Sequence, residues 1–240
     1  AEAGAISASD PTFGSAISVA PRKMVCRTTM SQEFIEDAIG QGGIGSGLDW
    51  VAGRIGLSLG LLQEQAYTVG DPAASPAQPQ GIALPSLLTQ VTDLGGAAVT
   101  TVSGDNLIDT VHLVAPQYRS SPRFSWLISD TLLKTVRKIK INTNDYLWKV
   151  GAEGGLTNGA PGTIYGVPYR IGQYVATGTV NNNVFAVVGD FNYFEIFDRT
   201  GLTSMIDPYS AAANHQVNLY TYARTDSKLT LNAAFAAITC

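Results

Sequence analysis

From residue 48 to residue 69, apolar side chains recur at helical spacing on two sides of one segment. Val51, Ile55, Leu59, Leu62 and Ala66 form one stripe. Trp50, Leu57 and Leu61 form a second, about 140° away at 100° per residue. The spacing predicts a helix from Leu48 to about Val69, about 33 Å long at 1.5 Å per residue. Ser46, with Asp49 three positions on, fits the capping-box pattern that opens it. Gly53, Gly56 and Gly60 align on a further side, and each costs a helix about 1 kcal/mol relative to alanine. Three together point to close approach of another backbone. With so little polar face, the helix is expected to pack on a sheet of its own subunit and to lie near a neighbouring chain.

Alternation and turn residues place the other elements. Residues 1–16 are small and polar and read as an extended arm. β structure is expected over 17–29, with Cys26 as a small core residue, followed by a short helix capped by Ser31. After a proline-rich loop, 86–91 is read as a short element and 99–102 as a strand. Asp105 is expected to cap a helix over 107–114, and Pro116 to break or restart it. A buried strand over 124–128 precedes a helix over 131–138 capped by Asp130. Strands follow at 163–171 and 184–188, then a turn at Gly189-Asp190. Val217, Leu219, Thr221 and Ala223 alternate with Asn218, Tyr220, Tyr222 and Arg224, and a turn at Asp226-Ser227 is expected to form a hairpin with 228–235. Helices and strands mix without a regular βαβ period, so the fold class is α+β.

Composition sharpens this picture. Charged residues make up 14% of the 240 positions, against roughly 25% in an ordinary soluble domain. Hydrophobic content is 45%, so the surface is neutral rather than greasy, as interfaces between subunits tolerate. The net charge of -4 argues against a general nucleic-acid binder. A local exception is the stretch Arg119, Arg123, Lys134, Arg137, Lys138 and Lys140, whose only acid is Asp130. It reads as a solvated face or as inter-subunit ion pairs rather than a DNA contact. Charge-free stretches at 72–92 and 171–189 are interrupted by prolines or asparagines, so no membrane span is expected.

Candidate chemistry is sparse. His112 sits among apolar helix neighbours and reads as structural, and His215 reads as surface. Cys26 and Cys240 make no disulfide framework. No zinc spacing, phosphate loop or Gly-x-Ser-x-Gly elbow occurs, and Glu33, Glu36 and Asp37 read as a solvated helix face. No enzyme, cofactor or metal is expected.

The order of landmarks resembles the major capsid proteins of tailed bacteriophages with the Hong Kong 97-type fold. Residues 1–13, including Glu2 and Phe13, are similar to the returning leg of the family's extended loop. The strand at 19–23, the helix at 31–37 and the rod ending at Gly70-Asp71 match its peripheral domain. Gln78-Pro79-Gln80-Gly81-Ile82 matches the lead into its axial domain. Trp126-Leu127-Ile128-Ser129, Tyr146-Leu147-Trp148, Tyr165-Gly166-Val167-Pro168 and Val188-Gly189-Asp190-Phe191 resemble axial landmarks.

The resemblance implies a loop remnant at 1–16, a discontinuous peripheral domain at 17–71 and 206–240, and an axial domain at 72–205. It implies assembly through Trp50, Gly53, Gly56, Gly60, Glu2 and Phe13. Copies of the chain would form the pentamers and hexamers of an icosahedral shell, in a virion whose proteins are made in the bacterial cytoplasm. Decoration, portal or scaffolding proteins would be further partners, with weak non-specific contact to packaged DNA. The family's arm and outgoing loop leg have no counterpart here, which implies a fragment or an unread stretch. Residues 1–21 hold no lysine, so the cross-links of some members do not carry over. Two other readings fit parts of the pattern: an encapsulin-like nanocompartment shell, and a secreted β-rich glycan-binding or hydrolytic domain.

Overall fold

A computed structural model describes residues 17–40, 46–96, 99–142, 145–146, 162–177 and 183–240. The chain opens with β1 (Arg22–Ser31) and α1 (Gln32–Gly40). Ser31 Oγ accepts from the Phe34 N–H at 3.2 Å, the expected cap. The predicted rod is α2 (Ser46–Val69). Then come β2 (Val91–Asp93), α3 (Gly104–Leu113), α4 (Pro116–Arg119), β3 (Phe124–Ile128) and α5 (Asp130–Arg137). Next are β4 (Lys140–Asn142), β5 (Asp145–Tyr146), β6 (Thr163–Ile164) and β7 (Val167–Ile171). The last part holds β8 (Val184–Asp190), β9 (Phe194–Asp207), β10 (Gln216–Leu229) and β11 (Phe235–Thr239).

Two sheets organise these elements. A three-stranded sheet has the order β1-β10-β9, with both pairings antiparallel. A six-stranded sheet has the order β2-β11-β8-β3-β7-β6. β4 and β5 form a separate ribbon. The six-stranded sheet carries a core on each face. Trp126, Ile128, Val188 and Ile238 meet Leu107 and Val114 of the α3 region and Leu132 and Val136 of α5 on one face. Val187, Phe235 and Ala237 meet Ile82, Ala83 and Leu88 on the other. β8 and β11 are buried along their whole length. Such strands read as continuous apolar runs, because neither face meets water.

Several expectations need correction. Residues 99–101 form a 3-10 turn, not a strand; Val99 and Val102, three apart, both face the core, which the three-residue turn allows and a strand's alternation does not. α3 is capped by Ser103 rather than Asp105. Asn106 N–H donates to Ser103 Oγ (3.3 Å), and Ser103 N–H donates to Asn106 Oδ1 (2.9 Å). Ser129, not Asp130, caps α5 by accepting from Leu132 N–H at 3.2 Å. Asp130 sits in the first turn, where its charge suits the helix dipole. The element expected at 86–91 is a run of turns ahead of β2. The single strand expected over 163–171 is two strands around a turn at Tyr165-Gly166.

The largest difference is at the C-terminal end. β10 does not turn at Asp226-Ser227; it runs on to Leu229 and pairs there with β9. Both residues are buried and satisfied in place. Asp226 Oδ2 accepts from Ala20 N–H (2.8 Å), and Ser227 Oγ donates to the Gln80 carbonyl (2.8 Å). Thr221 and Ala223 are buried as the alternation predicts. Near the strand's start it is Asn218 that is buried, accepting from Thr29 Oγ1 at 2.8 Å. Sheet membership also crosses the boundary drawn at residue 206. Most of β9 precedes it yet lies in the three-stranded sheet, and β11 follows it yet lies in the six-stranded one.

Candidate assembly surfaces

Among the described residues, α2 is buried along one side, and on another Glu64 Oε1 accepts from Gln173 N–H at 3.1 Å. Val51, Ile55, Leu59 and Ala66 are buried, and Met24 of β1 packs with Leu59 and Ala66. On the other sides Trp50 is 64% exposed and Leu57 55%. Arg54 lies over the Trp50 ring, 5.9 Å from its centroid. A Cβ added at Gly53, Gly56 or Gly60 would meet nothing within 4 Å. The rod thus packs on the sheet of its own subunit along one stripe, and the described residues give the three glycines no packing reason. Cys26, expected in the core, is half-buried beside α2, its Sγ 3.8 Å from Ser58 Oγ.

The end of the rod is locked. The N–H groups of Gly81, Ile82 and Ala83 donate to the carbonyls of Gly70, Tyr67 and Thr68 at 2.8–2.9 Å. Carbonyls of the last helical turn, which have no partner inside a helix, are thus satisfied by the next segment. The approach is so close that a Cβ on Gly70 would collide with the carbonyl oxygens of Ala66 and Pro79. One on Gly81 would fall 2.5 Å from Gly70 N and 2.7 Å from Thr68 O. Asp71 Oδ1 accepts from Ala73 N–H (2.8 Å), and Pro79 is buried. Tyr67 Oη and Thr225 Oγ1, 2.8 Å apart, bind the same turn to β10. Burial holds the Tyr67 phenol above its usual value; the Thr225 hydrogen bond opposes this, and Asp198 and Asp226 reinforce it.

The remaining landmarks divide. Gly166 has φ +78 in the β6–β7 turn, which glycine tolerates without strain. Pro168 is not in that turn; it is a strand residue opposite Thr163. Gly189 and Asp190 do not turn the chain but end β8. Gly189 is small because the Phe235 ring occupies the space of a Cβ. Asp190 accepts from Asn192 N–H (3.0 Å) and caps a 3-10 turn. Glu2, Phe13, Leu147 and Trp148 lie outside the described residues.

Groups capable of chemistry lie apart. His112 is exposed, with Nδ1 3.1 Å from Arg119 Nη1. His215 is exposed at φ +51. Among the described residues, no three of His, Cys, Asp or Glu gather as metal ligands, and no helix is long and apolar enough to cross a membrane. Two surfaces had no clear signal in the sequence. Leu202, Met205, Ile206 and Tyr209 stand exposed at the tip of the β9–β10 hairpin. Arg123 and Arg170, distant in the chain, flank one groove beside Leu127 and Phe191. An exposed apolar cluster on a strand of the sheet's edge could have marked the first; only tertiary structure reveals the second.

The entire chain, residues 1–240, matches the Phage capsid family. The chain belongs to that family. Solved structures similar to this phage capsid protein include the capsid of the native GTA particle, at 22% identity and TM-score 0.71, covering 98% of this chain and 80% of that one. Mycobacterium phage Ogopogo matches at 16% identity and TM-score 0.62, over 91% of this chain and 75% of that one. The satellite phage P4 procapsid including its size determination (Sid) protein matches at 10% identity and TM-score 0.61, over 99% and 81%. No curated protein matches in sequence.

These likenesses establish the Hong Kong 97-like α+β fold with its open sheets. Family membership makes this phage capsid protein a structural protein, the major subunit of a virion shell. The nanocompartment and glycan-binding alternatives are not favoured.

Proposed function

We propose that copies of this phage capsid protein assemble as pentamers and hexamers into a shell around phage DNA, with a neighbouring copy covering the open side of α2. The observation that carries this reading is the exposed apolar side of the rod, Trp50 and Leu57, beside three glycines where a Cβ would meet nothing among the described residues. A helix leaves such positions bare at a cost to its own stability. Close approach of a second subunit accounts for both features. Many modest contacts per subunit then sum to a stable particle, because each one formed raises the effective concentration for the next.

Under this proposal the six-stranded body lies toward the symmetry axes and the rod with its three-stranded sheet lies away from them. Synthesis takes place in the host cytoplasm, and contact with packaged DNA is weak and non-specific. An accessory that sets shell size, such as the one included in the P4 procapsid, belongs to the same reading, as do decoration and portal proteins. No hydrolase, transferase or redox turnover is expected; one abolished by altering His112 or His215 would overturn that part. Electron microscopy and light scattering of the purified protein test the whole. Rings or closed particles are expected, and single molecules at every concentration would refute it.

A further inference from the structure

The six-stranded sheet shows an uncovered patch on each of two opposite flanks. Over β3 and β7, Arg123, Leu127, Pro168, Arg170 and Phe191 line a groove of about 410 Å³. Its floor is apolar, both arginines are exposed, and among the described residues no carboxylate lines it. Toward β2, α3 presents Asp105, Ile108, Asp109 and His112 to solvent, positions that share one side of a helix. His112 already faces Arg119, so the first two turns are acidic around an exposed isoleucine.

The two patches lie on different faces of the sheet. Leu107 and Val114 join the core of Trp126 and Ile128, whereas Leu127 and Phe191 join that of Val187 and Phe235. They also lie over different halves of the sheet, since α3 packs mainly on β2 and β11 whereas the groove is lined by β3 and β7. One subunit cannot bring them together.

We propose that they are the two halves of one contact between copies of this chain. α3 of one copy seats in the groove of the next, with Ile108 on the floor of Leu127, Pro168 and Phe191, and with Asp105 and Asp109 opposite Arg123 and Arg170. The proposal rests on the shell reading above and names the residues that set direction around a ring. Two unlike patches on opposite flanks make a head-to-tail contact, which closes into a ring when the rotation fits. Complementary charge fixes its register and rejects like-against-like pairing. A nucleic-acid phosphate backbone is the weaker occupant. Two arginines over an apolar floor neutralise few phosphates, and backbone affinity grows with that number.

Charge exchange in the full chain tests this. Asp105→Lys with Asp109→Lys, and separately Arg123→Glu with Arg170→Glu, are each expected to lower the ring or particle fraction by about tenfold or more, as like charges face each other. All four changes in one chain restore the pairing with signs reversed and are expected to recover assembly. Native mass spectrometry and electron microscopy read the outcome, and circular dichroism confirms folding. Either double variant assembling like the unaltered chain overturns the pairing, and so does a four-change variant that stays unassembled. Arginine variants that keep rings but lose retained DNA overturn it in favour of the nucleic-acid occupant. An unaltered chain that never assembles overturns the shell reading itself, which separates the two failures.

Discussion

Tyr67 Oη lies 2.8 Å from Thr225 Oγ1, so the last turn of the rod is hydrogen-bonded to the middle strand of the three-stranded sheet. Thr225 is fully buried. Tyr67→Phe leaves its hydroxyl without that partner and is expected to cost on the order of 1–3 kcal/mol. Urea unfolding of the disassembled subunit measures it.

The same tyrosine gives a pH dependence. Its folded-state value is raised, with burial as the main cause. The stability it contributes is therefore complete below the unfolded value of about 10 and is lost as pH rises through the folded value. Unfolding free energies taken from pH 8 into the alkaline range should show this loss in the native sequence. Tyr67→Phe should lack that component.

A glycine inside α2 and one in the segment clamped to its C-terminal end should respond oppositely to a methyl group. Gly81→Ala pushes a Cβ against backbone atoms at 2.5–2.7 Å, and backbone yields little, so a loss of about 3 kcal/mol is expected. Gly56→Ala meets open space and should stabilise the lone subunit by about 1 kcal/mol. Unfolding midpoints of the two variants should move apart; a common direction contradicts the clamp.

Larger side chains on the rod separate folding from assembly. Gly56→Leu and Gly60→Leu should leave the subunit's circular dichroism melt intact or raised, since no described atom lies within 4 Å of a Cβ at either position. Particle yield should fall, because the neighbour's approach is blocked. Near-normal particles from both variants, by sizing and microscopy, would remove the role given to these glycines.

At the tip of the long hairpin, Asp207 accepts from Ser210 Oγ and from the N–H groups of Tyr209 and Ser210. These bonds, the Ser210 hydroxyl first, hold its carboxyl below the usual carboxylate value. The turn is thus stabilised above the unfolded value near 4 and loses that support as pH falls through the folded one. Amide exchange at Tyr209 and Ser210 should accelerate on acidification, while Asp207→Asn should show no such step.

How much of this was legible in the sequence depends on how local each cause is. The buried positions Val51, Ile55, Leu59 and Ala66 of the rod follow from periodicity, as does the buried strand Phe124–Ile128, but Leu62 of the same predicted stripe is exposed because it lies at the margin of the face that meets β1. Ser129 and Asp130 show a limit: either residue type can cap, and only the geometry assigns the role to the serine. Asp226-Ser227 looked like a turn because polar pairs usually face water. Here their partners, Ala20 and Gln80, are about 150 residues or more away in the chain. Gly189-Asp190 has the composition of a turn, yet the smallness of Gly189 serves the Phe235 ring across a strand pair. The groove between Arg123 and Arg170 depends on a parallel pairing of β3 with β7 that no local pattern announces.

The hairpin of β9 and β10 begins beside Gln80 and the six-stranded core, through Leu229, and ends in the sheet under the rod. Its ladder slips register between Tyr222 and Thr225. Such a slip frees one residue from pairing and lets a ribbon bend where the rest of it is stiff. A tile of a closed surface therefore carries a built-in bend midway along one long ladder, and β1, which pairs with β10 unbroken across the slip, holds that bend in place.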